Sequence, residues 1–266
     1  MLGFRPKLPV SEDERCWVDE GFRRLEKMLG RRRLLEAMVV MPTAEHFPDP
    51  YDKTPTAAEK LFCRVCTYMQ VERSAIELEI FPDETEELSK ILPSWRAKDG
   101  KRAAGLFVHD KGDHSPAEHQ CDQRDMVVAI RSTLLQDPLS LVATVAHELG
   151  HVILLGGGLM SRETEDHEPL TDLLTVYFGL GIFTANSAAR FRKYQDERRQ
   201  GWSTQRLGYL PEAVFGYALA KFCLERGEEK PEWARHLSPN VRADFKRSRT
   251  WLAENPHYVA TAKPIG

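Results

Sequence analysis

Apolar positions recur along this chain in runs whose spacing sets the expected elements. From 139 to 155, LSLVATVAHELGHVILL has few breakers, and Val142, Val145, Ala146, Leu149, Val152 and Ile153 recur at i, i+3, i+4 spacing. That period predicts a helix with this side in the core. Asp137-Pro138 supplies a carboxylate cap and a proline at the first helical position, and Gly156-Gly157-Gly158 ends the run. A second apolar helix is expected over EPLTDLLTVYFGLGIF (168–183), with Pro169 at its first position and Glu168 at its mouth. Leu170, Leu173, Leu174, Val176, Tyr177 and Phe178 cover most of its surface, while Glu168, Asp172 and Thr175 share one polar face.

Shorter runs fill in the rest. Alternating or β-branched stretches predict strands at MVVMPT (38–43), IELEIF (76–81), GLFVH (105–109) and DMVVAI (125–130). A charged amphipathic segment at 11–30 precedes the basic triplet Arg31, Arg32 and Arg33, and a proline-rich loop leads to a helix at 56–70. Helical spacing returns from Pro211 in GYLPEAVFGYALAKFCLE, and the tail with Trp233 and Trp251 is expected to add closing helices. The arginine-rich stretch 188–207 reads as a solvated connector or a cover over the cleft, and the histidine-bearing stretch 109–119 as a surface loop. The sum is an α+β protein with a small mixed sheet packed on the 139–155 helix. An N-terminal lobe, 1–155, would join a mainly helical C-terminal lobe, 156–266, in one compact unit.

Composition narrows the partners. With 266 residues, a net charge of −3 and acidic and basic side chains well mixed, nucleic acid and anionic membrane are not expected as primary partners. The opening MLGFRPKLPVSEDER lacks the apolar core of a signal peptide, and no uninterrupted apolar run reaches spanning length, so a cytoplasmic location is the expectation. Cys16, Cys63, Cys66, Cys121 and Cys223 are odd in number and scattered, which fits reduced thiols. Cys63-Arg64-Val65-Cys66 has helical spacing among apolar neighbours and reads as buried small hydrophobes. No second CxxC completes a zinc pattern with His109, His114, His119 or Cys121.

The chemistry sits in His147-Glu148-Leu149-Gly150-His151, an HExxH motif inside the apolar helix. Two histidines four residues apart lie one turn above each other and point the same way, which is half of a tetrahedral zinc site. Glu148 lies about 100° around the axis from His147, within reach of a water on the metal without being a ligand. Thr144, His147, Glu148 and His151 form the polar side of a helix on which such groups are costly to bury unless a dication joins them.

These residues resemble the zincin metallopeptidases, and within them the gluzincins, which follow the HExxH helix with a second helix bearing Glu-x-x-x-Asp. Glu168-Pro169-Leu170-Thr171-Asp172 matches that element, and the likeness spans about residues 125–180. The resemblance implies a zincin-like fold, with Glu168 as third zinc ligand and Asp172 accepting a hydrogen bond from one zinc-bound histidine. It also implies a zinc-dependent peptidase acting on a peptide or protein, with Glu148 as general base. A metzincin would need Gly at 154 and His at 157, where this chain has Leu154 and Gly157. Glu165, Asp166, His167 and Asp172 stay open as other third ligands, and Tyr209 and Tyr217 are candidate oxyanion donors. Two further functions fit the motif. One is a binding or regulatory protein whose zinc is closed by a fourth ligand such as His167, and the other a hydrolase of non-peptide amides.

Overall fold

A computed structural model of the protein describes residues 7–82, 105–109, 126–196 and 210–258. Among the described residues the fold is α+β and mostly helical, with one small sheet. Helix α1 (Glu12–Leu29) opens on a reciprocal cap in which the Ser11 hydroxyl accepts from Glu14 N–H and the Glu14 carboxylate accepts from Ser11 N–H. Helix α2 (Arg31–Glu36) follows directly, and α3 (Pro55–Met69) starts at the Thr54 cap with proline at its first turn. Strands β1 (Ile76–Phe81), β2 (Gly105–His109) and β3 (Met126–Arg131) form a mixed sheet in the order β1-β3-β2. β3 is its centre, parallel to β1 with Ile76 opposite Met126, and antiparallel to β2 with His109 opposite Met126.

Helix α4 (Pro138–His151) leaves the sheet through the expected cap, Asp137 accepting from Ser140 N–H, and continues as a π-helical turn, Val152–Gly156. It packs against β2, β3 and α3 on one side and against the next two helices, α5 (His167–Tyr177) and α6 (Gly181–Asp196), on the other. Every residue of α4 from Ser140 to His151 is buried, so the polar side is enclosed as fully as the apolar one. The stretch Pro138–Gly156 is long and apolar enough to cross a membrane, but 78% of its apolar window is buried within the protein, the setting of a core helix. Helices α7 (Glu212–Glu225) and α8 (Pro239–Glu254) follow among the described residues. One contiguous hydrophobic core runs from Val10 to Leu252, drawing residues from both sides of position 155.

Two expectations fail at one place. Residues 38–43 form no strand, and the apolar run 168–183 is broken between α5 and α6 rather than continuous. Gly179 explains both, since it sits at φ 82°, where only glycine is unstrained, and a Cβ there would lie 2.1 Å from the Met38 carbonyl oxygen. The extended segment after α2 crosses at this point, and Val40 N–H donates to the Gly179 carbonyl at 2.9 Å. Its backbone is satisfied by the interhelical turn instead of by the sheet.

Helix α1 is tied to the C-terminal helices by a buried polar network. Asp19 accepts from Arg15 Nη1 at 2.7 Å and from the Tyr217 hydroxyl at 3.0 Å, and the Lys221 ammonium lies 3.2 Å away. Glu225 links Lys221 to Arg31. Each buried charge therefore has an opposite partner, without which burial costs several kcal/mol.

Candidate metal centre

The site lies where the end of α4 meets the start of α5. His147 and His151 occupy the last turn of α4, and Glu168, Thr171 and Asp172 the first two turns of α5. Gly150 lets the two helices touch, because a Cβ there would stand 2.7 Å from Thr171 Cγ2. Helix α5 begins at His167, two residues before the proline that was expected to start it. Pro169 is still within the first turn, where N–H groups have no helical acceptor, so its missing donor costs nothing.

His147 Nε2 stands 3.0 Å from Glu168 Oε2 and 3.1 Å from His151 Nε2, and His151 Nε2 stands 3.3 Å from the same glutamate oxygen. Their other hydrogen bonds fix the tautomers. His147 Nδ1 lies 2.8 Å from Asp172 Oδ1, a carboxylate that only accepts, so Nδ1 carries the proton. The other Asp172 oxygen accepts from Leu210 N–H at 2.7 Å, which stops the carboxylate rotating away. His151 Nδ1 lies 3.3 Å from Thr171 Oγ1, whose own proton is donated to the His167 carbonyl at 2.7 Å, so His151 Nδ1 also donates. Both Nε2 lone pairs consequently converge with a carboxylate oxygen on one point.

Three acceptors so placed repel one another unless a cation sits among them. A tetrahedral dication with ligands about 2.0–2.2 Å away separates its ligand atoms by roughly 3.3–3.5 Å, close to the 3.0–3.3 Å found here. The three residues thus fit a metal ion, and two imidazoles with one carboxylate suit several divalent transition metals, zinc among them. The histidine side chains are 3% and 8% exposed and that of Glu168 is 36% exposed, so the cluster is approached from the glutamate side.

Protonation follows the same geometry. Burial opposes a charge on His147, but the Asp172 and Glu168 carboxylates outweigh it and hold its imidazole well above the usual histidine range. Burial, helped by the neighbouring His147 and His167, keeps His151 below that range. Burial also pushes Glu168 upward, yet its contacts with His147, His151 and His167 prevail and hold it far below ordinary carboxylates.

The other candidates are placed as follows. Glu148 is buried on α4 beside His147 and is not one of the three clustered ligands. Glu165 is exposed, and Asp166 is engaged by Trp17 Nε1 and the Arg24 guanidinium of α1. His167 donates from Nδ1 to the Thr164 carbonyl and faces Glu168 Oε1, the oxygen turned away from the cluster, with Nε2 3.3 Å distant. Asp172 orients His147 instead of joining the ligands. The Tyr217 hydroxyl is not brought to the cluster, because it is spent on Asp19, and Tyr209 lies outside the described residues. Thr175, expected on the polar face, bonds to Thr184 and to the Asp172 carbonyl, while Thr171, which was not singled out, reaches His151. Its signal was its position at i+3 from Glu168, one turn along the same face. Cys66 is buried and Cys63 half-buried on α3, as expected of packing residues, and His114, His119 and Cys121 lie outside the described residues.

Comparison with protein-family models, with curated proteins and with solved structures finds no match to the chain.

Proposed function

We propose that the protein is a zinc-dependent metallopeptidase of the zincin type, with His147, His151 and Glu168 as ligands. The observation that carries this reading is the convergence of two imidazole lone pairs and one carboxylate oxygen within 3.0–3.3 Å, on tautomers dictated by Asp172 and Thr171. The gluzincin arrangement, an HExxH helix packed on a small mixed sheet and followed by a ligand-bearing helix, accords with it. When bound, zinc supplies a Lewis acid that acidifies water and polarises a carbonyl.

The remaining work falls to the chain's own groups. Asp172 keeps the His147 ring in register and its Nε2 free of a proton, and Thr171 does the same for His151. Glu148 is the proton carrier, accepting a proton from the attacking water and passing it to the leaving amine. Glu148 is buried beside His147 on the same helix turn, which keeps its carboxylate close to the ligands. The partly exposed Glu168 marks the side from which an extended peptide enters, and among the described residues β1 and β2 are the sheet edges whose backbone groups it would pair with.

Glu148→Gln tests the assignment, with metal content and hydrolysis of a quenched fluorescent peptide library as the two readouts. The variant is expected to keep its zinc and lose about 10²–10⁴-fold in rate. Full hydrolysis by this variant would remove Glu148 from the reaction.

A further inference from the structure

Helix α1 carries no ligand, yet two of its side chains hold the residue from which α5 starts. Trp17 and Arg24 are seven positions apart, so they share a face of α1. Trp17 Nε1 donates to Asp166 Oδ2 at 3.1 Å, and the Arg24 guanidinium grips both Asp166 oxygens, with Nη2 3.2 Å from Oδ1. Asp166 is the residue before α5, where an aspartate ordinarily caps its own helix. Here the carboxylate makes no capping bond and is turned to α1 instead. Its carbonyl still accepts the first helical hydrogen bond, from Leu170 N–H at 3.0 Å, so wherever Asp166 is held, α5 begins.

We infer that Trp17 and Arg24 are positioning residues for the third ligand, acting through Asp166. The inference rests on the metal-site reading given above. His147 and His151 stand on a helix buried on all sides, whereas Glu168 arrives after a mostly exposed loop, 157–166. An exposed loop holds its end less firmly than a buried helix does, while metal–ligand distances tolerate only about 0.2 Å. Glu168 follows Asp166 by two residues, so a displacement of one carries to the other almost undiminished. The pair itself is 28% and 24% exposed, a setting in which an ion pair adds little to stability. Its bidentate geometry fixes direction instead. The same bonds make docking of α1 and metal uptake mutually reinforcing, since each orders the start of α5.

The experiment measures zinc affinity by competition with a chromophoric chelator, on full-length protein shown by circular dichroism to be folded. Arg24→Ala and Trp17→Phe, the latter removing the N–H donor while keeping an aromatic ring, are each expected to weaken zinc binding roughly 10-fold. In a Glu168→Ala background, where two histidines give the residual affinity, the same substitutions are expected to change nothing. Should Arg24→Ala fail to fold, Trp17→Phe carries the test alone. Unchanged affinity in the folded variants overturns the inference and leaves the metal site standing, and so does an equal loss in both backgrounds. Wild-type protein that takes up no zinc overturns the site and the inference together.

Discussion

Gly150→Ala should damage the site and the fold at once, although alanine is the better helix former. A methyl at position 150 would lie 2.7 Å from Thr171 Cγ2, where two carbons need about 3.5–4.0 Å, so a gap of roughly 1 Å must open between α4 and α5. Its other neighbours, Thr171 O at 3.5 Å and Leu174 Cδ2 at 3.6 Å, are ordinary contacts. Thr171 cannot swing clear without losing the bonds its hydroxyl makes to the His167 carbonyl and to His151. Overpacking costs about 1–3 kcal/mol and a lost buried hydrogen bond about 1 kcal/mol more, against a gain of up to about 1 kcal/mol from helix propensity. The net expectation is a loss of about 1–3 kcal/mol, or roughly 2–4 °C of Tm for each kcal/mol. Because Thr171 orients His151 and Glu168 rides on the same helix, zinc affinity should fall about 10-fold or more. Thermal unfolding of metal-free protein and chelator competition measure the two effects. Thr171→Ser removes the clashing methyl and keeps the hydroxyl, so the double variant should recover most of both. A single variant with raised Tm and intact zinc affinity would refute the close-approach argument, as would a double variant no better than the single.

Gly179→Ala should be more costly still, because it combines a φ of 82° with a Cβ placed 2.1 Å from a backbone oxygen. About 3 kcal/mol or more of destabilisation is expected in urea unfolding, and a change under about 1 kcal/mol would contradict the crossing of residues 38–40 against this turn. Burial pushes the Cys66 and Cys223 thiols up to about 12, so at pH 8 only about one in 10⁴ of either is ionised. Iodoacetamide on native protein should therefore label the exposed Cys16 and spare those two, as read by peptide mass spectrometry. Rapid labelling of Cys66 would show that α3 is not packed as described.

What the sequence made legible is local. The Asp137-Pro138 start and the HExxH pair on one helix face depend on residues within a turn or two, and both are present, whereas the place of Glu168 and Asp172 beside that pair was implied by the resemblance and not by local spacing. Strands 76–81 and 105–109 were equally plain, and the strand expected at 125–130 forms as Met126–Arg131. Failures came where distant segments decide. Residues 38–43 have strand-like composition but spend their backbone on the turn at Gly179, and the apolar period through Phe178 hides that turn. Tyr217 offers a phenol whose use depends on Asp19, 198 positions away, and Asp166 offers a carboxylate claimed by a helix 142 positions upstream. No period or motif announces such partners, because they exist only once α1 has packed against α5 and α7.

The central claim is that His147, His151 and Glu168 hold a zinc ion open to water. It is tested most directly by metal analysis of purified wild-type protein, together with X-ray absorption at the zinc edge. The account predicts one zinc per chain, with nitrogen and oxygen ligands only, and loss of that zinc in His147→Ala. Less than one equivalent after reconstitution with zinc, or a sulfur ligand at the metal, would contradict it.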